Sequence, residues 1–208
     1  MVYYYNAIGD SLTAGYGALP GNGFVPIYRR LAERHLNRPI VSTNFGINGA
    51  TSADLLDLVT HSPVVRESIR EAHIITISIG GNDLIRLAKQ SLHQQTEFMA
   101  ALSMCRQNVV RIVRTIQELQ YRSASSYIIR FVDLYNPFPQ IAEAAFWVQQ
   151  YNQFLIGLSG NNIAVARIYS AFYGREEALL FMDHVHPNGH GYRVIAENLH
   201  HLGYNPLV

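Results

Sequence analysis

The residues with chemistry to offer lie far apart in the chain: a serine in "GDSLT" (9 to 13) and an aspartate–histidine pair in "DHVHP" (183 to 187). A serine hydroxyl is a weak nucleophile until a neighbouring base takes its proton. Asp183 and His186 are three residues apart, so one turn lets the carboxylate orient the imidazole and stabilise its protonated form. Ser11, His186 and Asp183 therefore suggest nucleophile, base and orienting acid. His186 precedes a proline and so favours extended backbone over helix. His184 follows Asp183 directly and its side chain should diverge, while His190 should fall in the first turn of a helix.

Acyl transfer also needs donors for the oxyanion that develops on the attacked carbonyl. The Ser11 N–H, the N–H of Gly49 in "GINGATS" (46 to 52) and the Asn82 amide in "GGND" (80 to 83) are the candidates. Gly49 has no side chain to keep a substrate away from its backbone. Asp10 is expected to brace the turn that presents Ser11, and Asp10 and Phe138 are the candidate substrate-binding residues. Thr13, Gly15 and Gly17 would pass close to the bound molecule. Each block also has a plainer reading, as a helix cap, a turn or a Gly-rich bend. "GDSLT" is not a G-x-S-x-G nucleophile elbow, because position 13 is threonine.

The elements that would position these residues alternate along the chain. Strand-like runs occupy 2 to 8, 40 to 46, 72 to 80, 125 to 135 and 162 to 169. Between and after them, helical periodicity covers 23 to 36, a segment from about 52, 94 to 120, about 140 to 158, and about 188 to 202. Such alternation predicts a mostly parallel sheet with helices on both faces, a three-layer α/β/α domain. In an open parallel sheet, sites form outside the carboxyl ends of the strands. That is where the four polar blocks fall. With 208 residues and no linker or repeat, one domain spanning 1 to 208 is expected.

Composition narrows the class of function. Half the residues are hydrophobic and 15% are charged, with a net charge of +1, so there is no electrostatic footprint for nucleic acid. Cys105 is the sole cysteine and lies on an apolar helical stripe, which excludes an intrachain disulfide. "MVYYYNAIGDS" lacks the pattern of a signal peptide, and no apolar run reaches the length of a membrane span. A cytoplasmic protein is the expectation.

The four blocks "GDSLTAGYG", "GINGATS", "GGND" and "DHVHP", in this order and spanning nearly the whole chain, resemble those of the SGNH hydrolases, the GDSL-type esterase/lipase family. The resemblance implies a flavodoxin-like fold with five parallel strands ordered 2-1-3-4-5. It implies Ser11 as nucleophile, Asp183 and His186 as its partners, and Ser11, Gly49 and Asn82 as the oxyanion hole. The substrate would be a small-molecule ester or lipid, with no cofactor and no metal. The length and "YNPFP" (135 to 139) are further similar to lipase-like proteins of spore-forming Gram-positive bacteria, which implies a spore association.

Two rival functions share these residues. Asp183, His184, His186 and His190 could instead form the ligand set of a metal-dependent hydrolase. The same fold could also serve as a catalytically silent binding module.

Overall fold

The computed structural model describes residues 2–90, 95–121 and 126–208. Five strands form one sheet in the order β2-β1-β3-β4-β5, every neighbouring pair parallel. They are β1 (Tyr3–Gly9), β2 (Ile40–Gly46), β3 (Ile74–Ser78), β4 (Ile128–Val132) and β5 (Ile163–Ala166). The order is the one that the family resemblance implies.

Side chains alternate across each strand, and the alternation divides the core in two. Ile75, Ile77, Ile129 and Phe131 face one cluster; Ile74, Ile128 and Val132 face the other. The first cluster is covered by α3 (Ser52–His61), α4 (Pro63–Glu71), α6 (Gln95–Gln120) and α7 (Ala142–Ile156). The second is covered by α2 (Phe24–Leu36), α8 (Ile168–Phe172) and α10 (Gly189–His201). Among the described residues three further helices are α1 (Ser11–Ala14), α5 (Gly81–Gln90) and α9 (Glu176–Leu179). Cys105 is buried in the first cluster, as its helical stripe suggested.

Several boundaries differ from the sequence reading for reasons visible in the packing. The strand expected to reach Tyr169 stops at Ala166, because the buried Asp133 carboxylate accepts the N–H groups of Ile168 and Tyr169 and starts α8. The strand expected to reach Tyr135 stops at Val132. There the Asn152 side chain takes both the N–H and the carbonyl of Leu134. Gln94 and Ser125, the expected first residues of α6 and β4, lie outside the described residues. Helix α4 was not anticipated. It starts at Pro63 with Ser62 accepting the Val65 N–H, an ordinary cap that directly abuts the end of α3.

Register is what gathers the site. Gly9 lies level with Gly46 and Ser78, Ser78 with Val132, and Val132 with Ala166. All five strands thus end on one line, and the loops beyond it carry every block singled out above.

Candidate active site

Strand β1 ends at Gly9 because nothing larger fits. A Cβ there would collide with the Ser78 carbonyl and crowd the Ser78 and Thr13 hydroxyls, and φ is +150°. The chain then turns sharply into α1, a single helical turn that begins at Ser11. Asp10 caps it, its Oδ1 accepting the Leu12 N–H at 3.0 Å and the Ser78 hydroxyl at 2.8 Å. Thr13 and Ser78 hydroxyls meet at 2.6 Å behind this turn. Asp10 is 3% exposed. It builds the turn, and its carboxylate is turned into the protein towards Ser78. Burial pushes its carboxyl up to about 6, despite the opposing hydrogen bonds from Ser78 and Leu12.

The Asp–His pair sits on a loop between α9 and α10, closed by an antiparallel bridge between Leu180 and Pro187. The Phe181 N–H also donates to the His186 carbonyl at 2.7 Å. Asp183 Oδ1 accepts the N–H groups of Val185 and His186, and its Oδ2 lies 2.7 Å from His186 Nδ1. Burial alone would raise the Asp183 carboxyl. The N–H groups of His186 and Val185, with the His186 ring, outweigh burial and hold it below the usual carboxylate range. An ionised carboxylate can only accept, so Nδ1 carries the proton and Nε2 keeps its lone pair. That Nε2 stands 2.9 Å from Ser11 Oγ. The structure thus brings Ser11, His186 and Asp183 into one hydrogen-bonded row across 175 residues of sequence.

Asn82, in the first turn of α5, and Gly49, in the loop after β2, are joined through Ala50. The Asn82 amide donates one N–H to the Ala50 carbonyl at 2.9 Å. Gly49 takes the third position of a turn closed by the Ala50 N–H on the Ile47 carbonyl, with φ +77°. That left-handed backbone favours glycine. Beyond the turn, Thr51 and Asp54 form a reciprocal capping box at the start of α3.

Three kinds of contact escaped the sequence reading. The Tyr16 ring lies 4.5 Å from the His186 ring, and the buried Tyr192 hydroxyl donates to the Tyr16 carbonyl at 2.6 Å. Asp83 accepts both the N–H and the hydroxyl of Ser52, joining the Asn82 loop to the Gly49 loop. Arg86 donates to the Gly49 carbonyl at 3.1 Å. Asp83 belongs to the "GGND" block and was within reach of the sequence. Arg86 carried no signal, being an exposed basic residue of ordinary type, whereas Tyr16 lies within the "GDSLTAGYG" block.

Two candidates are placed less closely. Phe138 lies half-buried in the loop after β4 at the same sheet edge, its backbone tied to the Asn136 side chain. The metal-ligand reading gains no support from the geometry. Both ring nitrogens of His186 are committed to Ser11 and Asp183, and His184 and His190 are exposed. Among the described residues no group of three or more His, Cys, Asp or Glu could hold an ion.

Comparison with known proteins identifies the family. Residues 7–194 match the model of the GDSL-like Lipase/Acylhydrolase family. The chain is 36% identical to the spore germination lipase LipC of Bacillus licheniformis, over all of this chain and 99% of that protein. It superposes on the crystal structure of the lipase Lip_vut3 from a goat rumen metagenome with a TM-score of 0.94 at 35% identity, covering 99% of this chain and all of that one. Axe2, an acetyl-xylooligosaccharide esterase from Geobacillus, shares the fold at a TM-score of 0.73 and 20% identity, over 99% and 96% of the two chains. The chain belongs to the GDSL-like lipase/acylhydrolase family and is a carboxylic ester hydrolase.

Proposed function

We propose that Ser11 carries the ester hydrolysis as nucleophile, with His186 as base, Asp183 as its orienting acid, and the Ser11 N–H, Gly49 N–H and Asn82 amide as oxyanion donors. The single observation that carries this reading is the row Asp183–His186–Ser11, at 2.7 and 2.9 Å. Ser11 Oγ attacks the ester carbonyl while its proton passes to His186 Nε2. The carbonyl oxygen takes the negative charge and is met by the donors. Each such donor contributes about 3 kcal/mol to lowering a barrier of this kind. Collapse expels the alcohol, which receives the proton from His186, and leaves an acyl-Ser11. Water, losing a proton to His186, then releases the acid and restores the serine.

Phe138 and the exposed Tyr16 support an acyl site on the open side of this row, in keeping with the apolar acyl groups that lipases accept. Among the described residues no helix is long and apolar enough to cross a membrane. The sole cysteine, Cys105, is buried and its thiol is pushed up to about 12, chiefly by burial. A chain without disulfides suits work in the cytoplasm, and the likeness to LipC supports a role in a spore-forming cell.

The test is turnover of a p-nitrophenyl ester series, acetyl to palmitoyl, by the wild type and Ser11→Ala. The wild type should hydrolyse a subset set by chain length, and Ser11→Ala should lose at least about a thousandfold in kcat. Retained hydrolysis by the variant would refute the assignment.

A further inference from the structure

The Gly49 turn has little to hold it in place. Gly49 is exposed, its φ is +77°, and a Cβ added there would meet nothing within 4 Å. Its N–H donates to no other group among the described residues, so it is free for a substrate oxygen. A free donor on an unpacked, left-handed turn is useful only if its direction is fixed before the oxyanion forms. Packing does not fix it here.

Helix α5 does. Asn82 and Arg86 are four residues apart and therefore share one face of that helix. Asn82 donates to the Ala50 carbonyl at 2.9 Å and Arg86 to the Gly49 carbonyl at 3.1 Å, so two consecutive carbonyls of the turn are gripped from one helix. On the far side of Gly49, the Ile47 N–H donates to the Gly9 carbonyl and the Ala50 N–H to the Ile47 carbonyl. The backbone is pinned before and after the glycine, and Arg86 is the only side chain that bonds to Gly49 itself among the described residues.

We propose that Arg86 is a positioning residue of the oxyanion hole: it clamps the Gly49–Ala50 peptide through the Gly49 carbonyl, and so limits how the preceding peptide, which carries the Gly49 N–H, can swing away from the developing charge. The clamp rests on the reading of Gly49 as an oxyanion donor. It acts on the transition state and leaves ground-state binding of a neutral ester alone. A small misdirection of a catalytic group is costly, on the order of 100-fold for about 1 Å. Loss of the clamp, with the Asn82 bond retained, should cost about tenfold in kcat.

The experiment measures kcat and KM for p-nitrophenyl butyrate, a neutral substrate, with wild type, Ser11→Ala, Arg86→Ala and Arg86→Lys, and melting temperature for each. Arg86→Ala should lose about tenfold in kcat with KM changed less than about twofold. Arg86→Lys, which keeps a charged donor, should recover most of the loss, and all four should melt together because Arg86 is exposed. An unchanged kcat, or a loss carried by KM, would overturn the clamp while ester hydrolysis by Ser11 stands. A fall in melting temperature that Arg86→Lys restores without restoring kcat would overturn it too. Absence of turnover in the wild type would remove the hydrolase reading, and the clamp with it.

Discussion

His186 has its two ring nitrogens committed to different partners, and the charge state of Asp183 decides which nitrogen is free to act as a base. Because the backbone N–H groups of Val185 and His186 hold Asp183 ionised, the imidazole has one usable tautomer. Asp183→Asn would offer an amide able to donate and so admit the wrong tautomer. A loss of about a thousandfold in kcat is expected, with a melting temperature near wild type, measured by ester turnover and thermal denaturation. Asp10 behaves oppositely. Its folded carboxyl is raised to about 6, above its ordinary value of 3.8, so the fold favours the protonated form. The stability it contributes is fully present below 3.8 and is lost as the pH rises through about 6. Asp10→Asn keeps an acceptor for Leu12 and Ser78 and cannot ionise. The variant should therefore melt at the wild-type temperature at pH 4 and above it at pH 8, read from thermal melts in matched buffers.

Among the elements, the sheet and its long helices were legible because their periodicities are strong and uninterrupted. The exact match at Ile40–Gly46 and the apolar stripe of α6 show this. The shorter elements were hidden by their causes. Asp133 starts α8 from just past the end of β4, and α5 opens at Gly81 with residues that by themselves favour a turn. The serine, the Asp–His pair and Asn82 were readable from four blocks that the strand ends bring together. Asp10 could not be oriented from sequence, since its inward bond to Ser78 spans 68 residues. The opposite pole of the molecule carries a pH dependence of its own where α2 meets α10. Burial, with His35, His201 and Arg34 nearby, holds His200 below its ordinary value of 6.5. The fold thus favours the neutral ring, and its contribution, full above 6.5, is lost as the pH falls below that value through the lower pKa of the folded ring. The melting temperature should drop between pH 7.5 and 5.5, and His200→Gln should flatten that part of the profile.

At the scale of the whole molecule, a sheet with a core on each face forms a rigid floor, and the chemistry occupies loops along one edge of it. The floor and the edge should respond separately to mutation. Ile112, on α6, is fully buried in the first cluster. Ile112→Ala should cost about 2–5 kcal/mol in urea unfolding while the folded fraction keeps its kcat. The central claim is that one serine at that edge carries the acyl group between two half-reactions. The most direct measurement is mass spectrometry of the protein quenched in steady-state turnover of a slowly deacylating p-nitrophenyl ester, followed by peptide mapping. The mass of one acyl group should appear on the peptide containing Ser11 in the wild type and be absent from Ser11→Ala. Acylation of a different residue, or steady turnover by Ser11→Ala with no acylated peptide at all, would contradict the account.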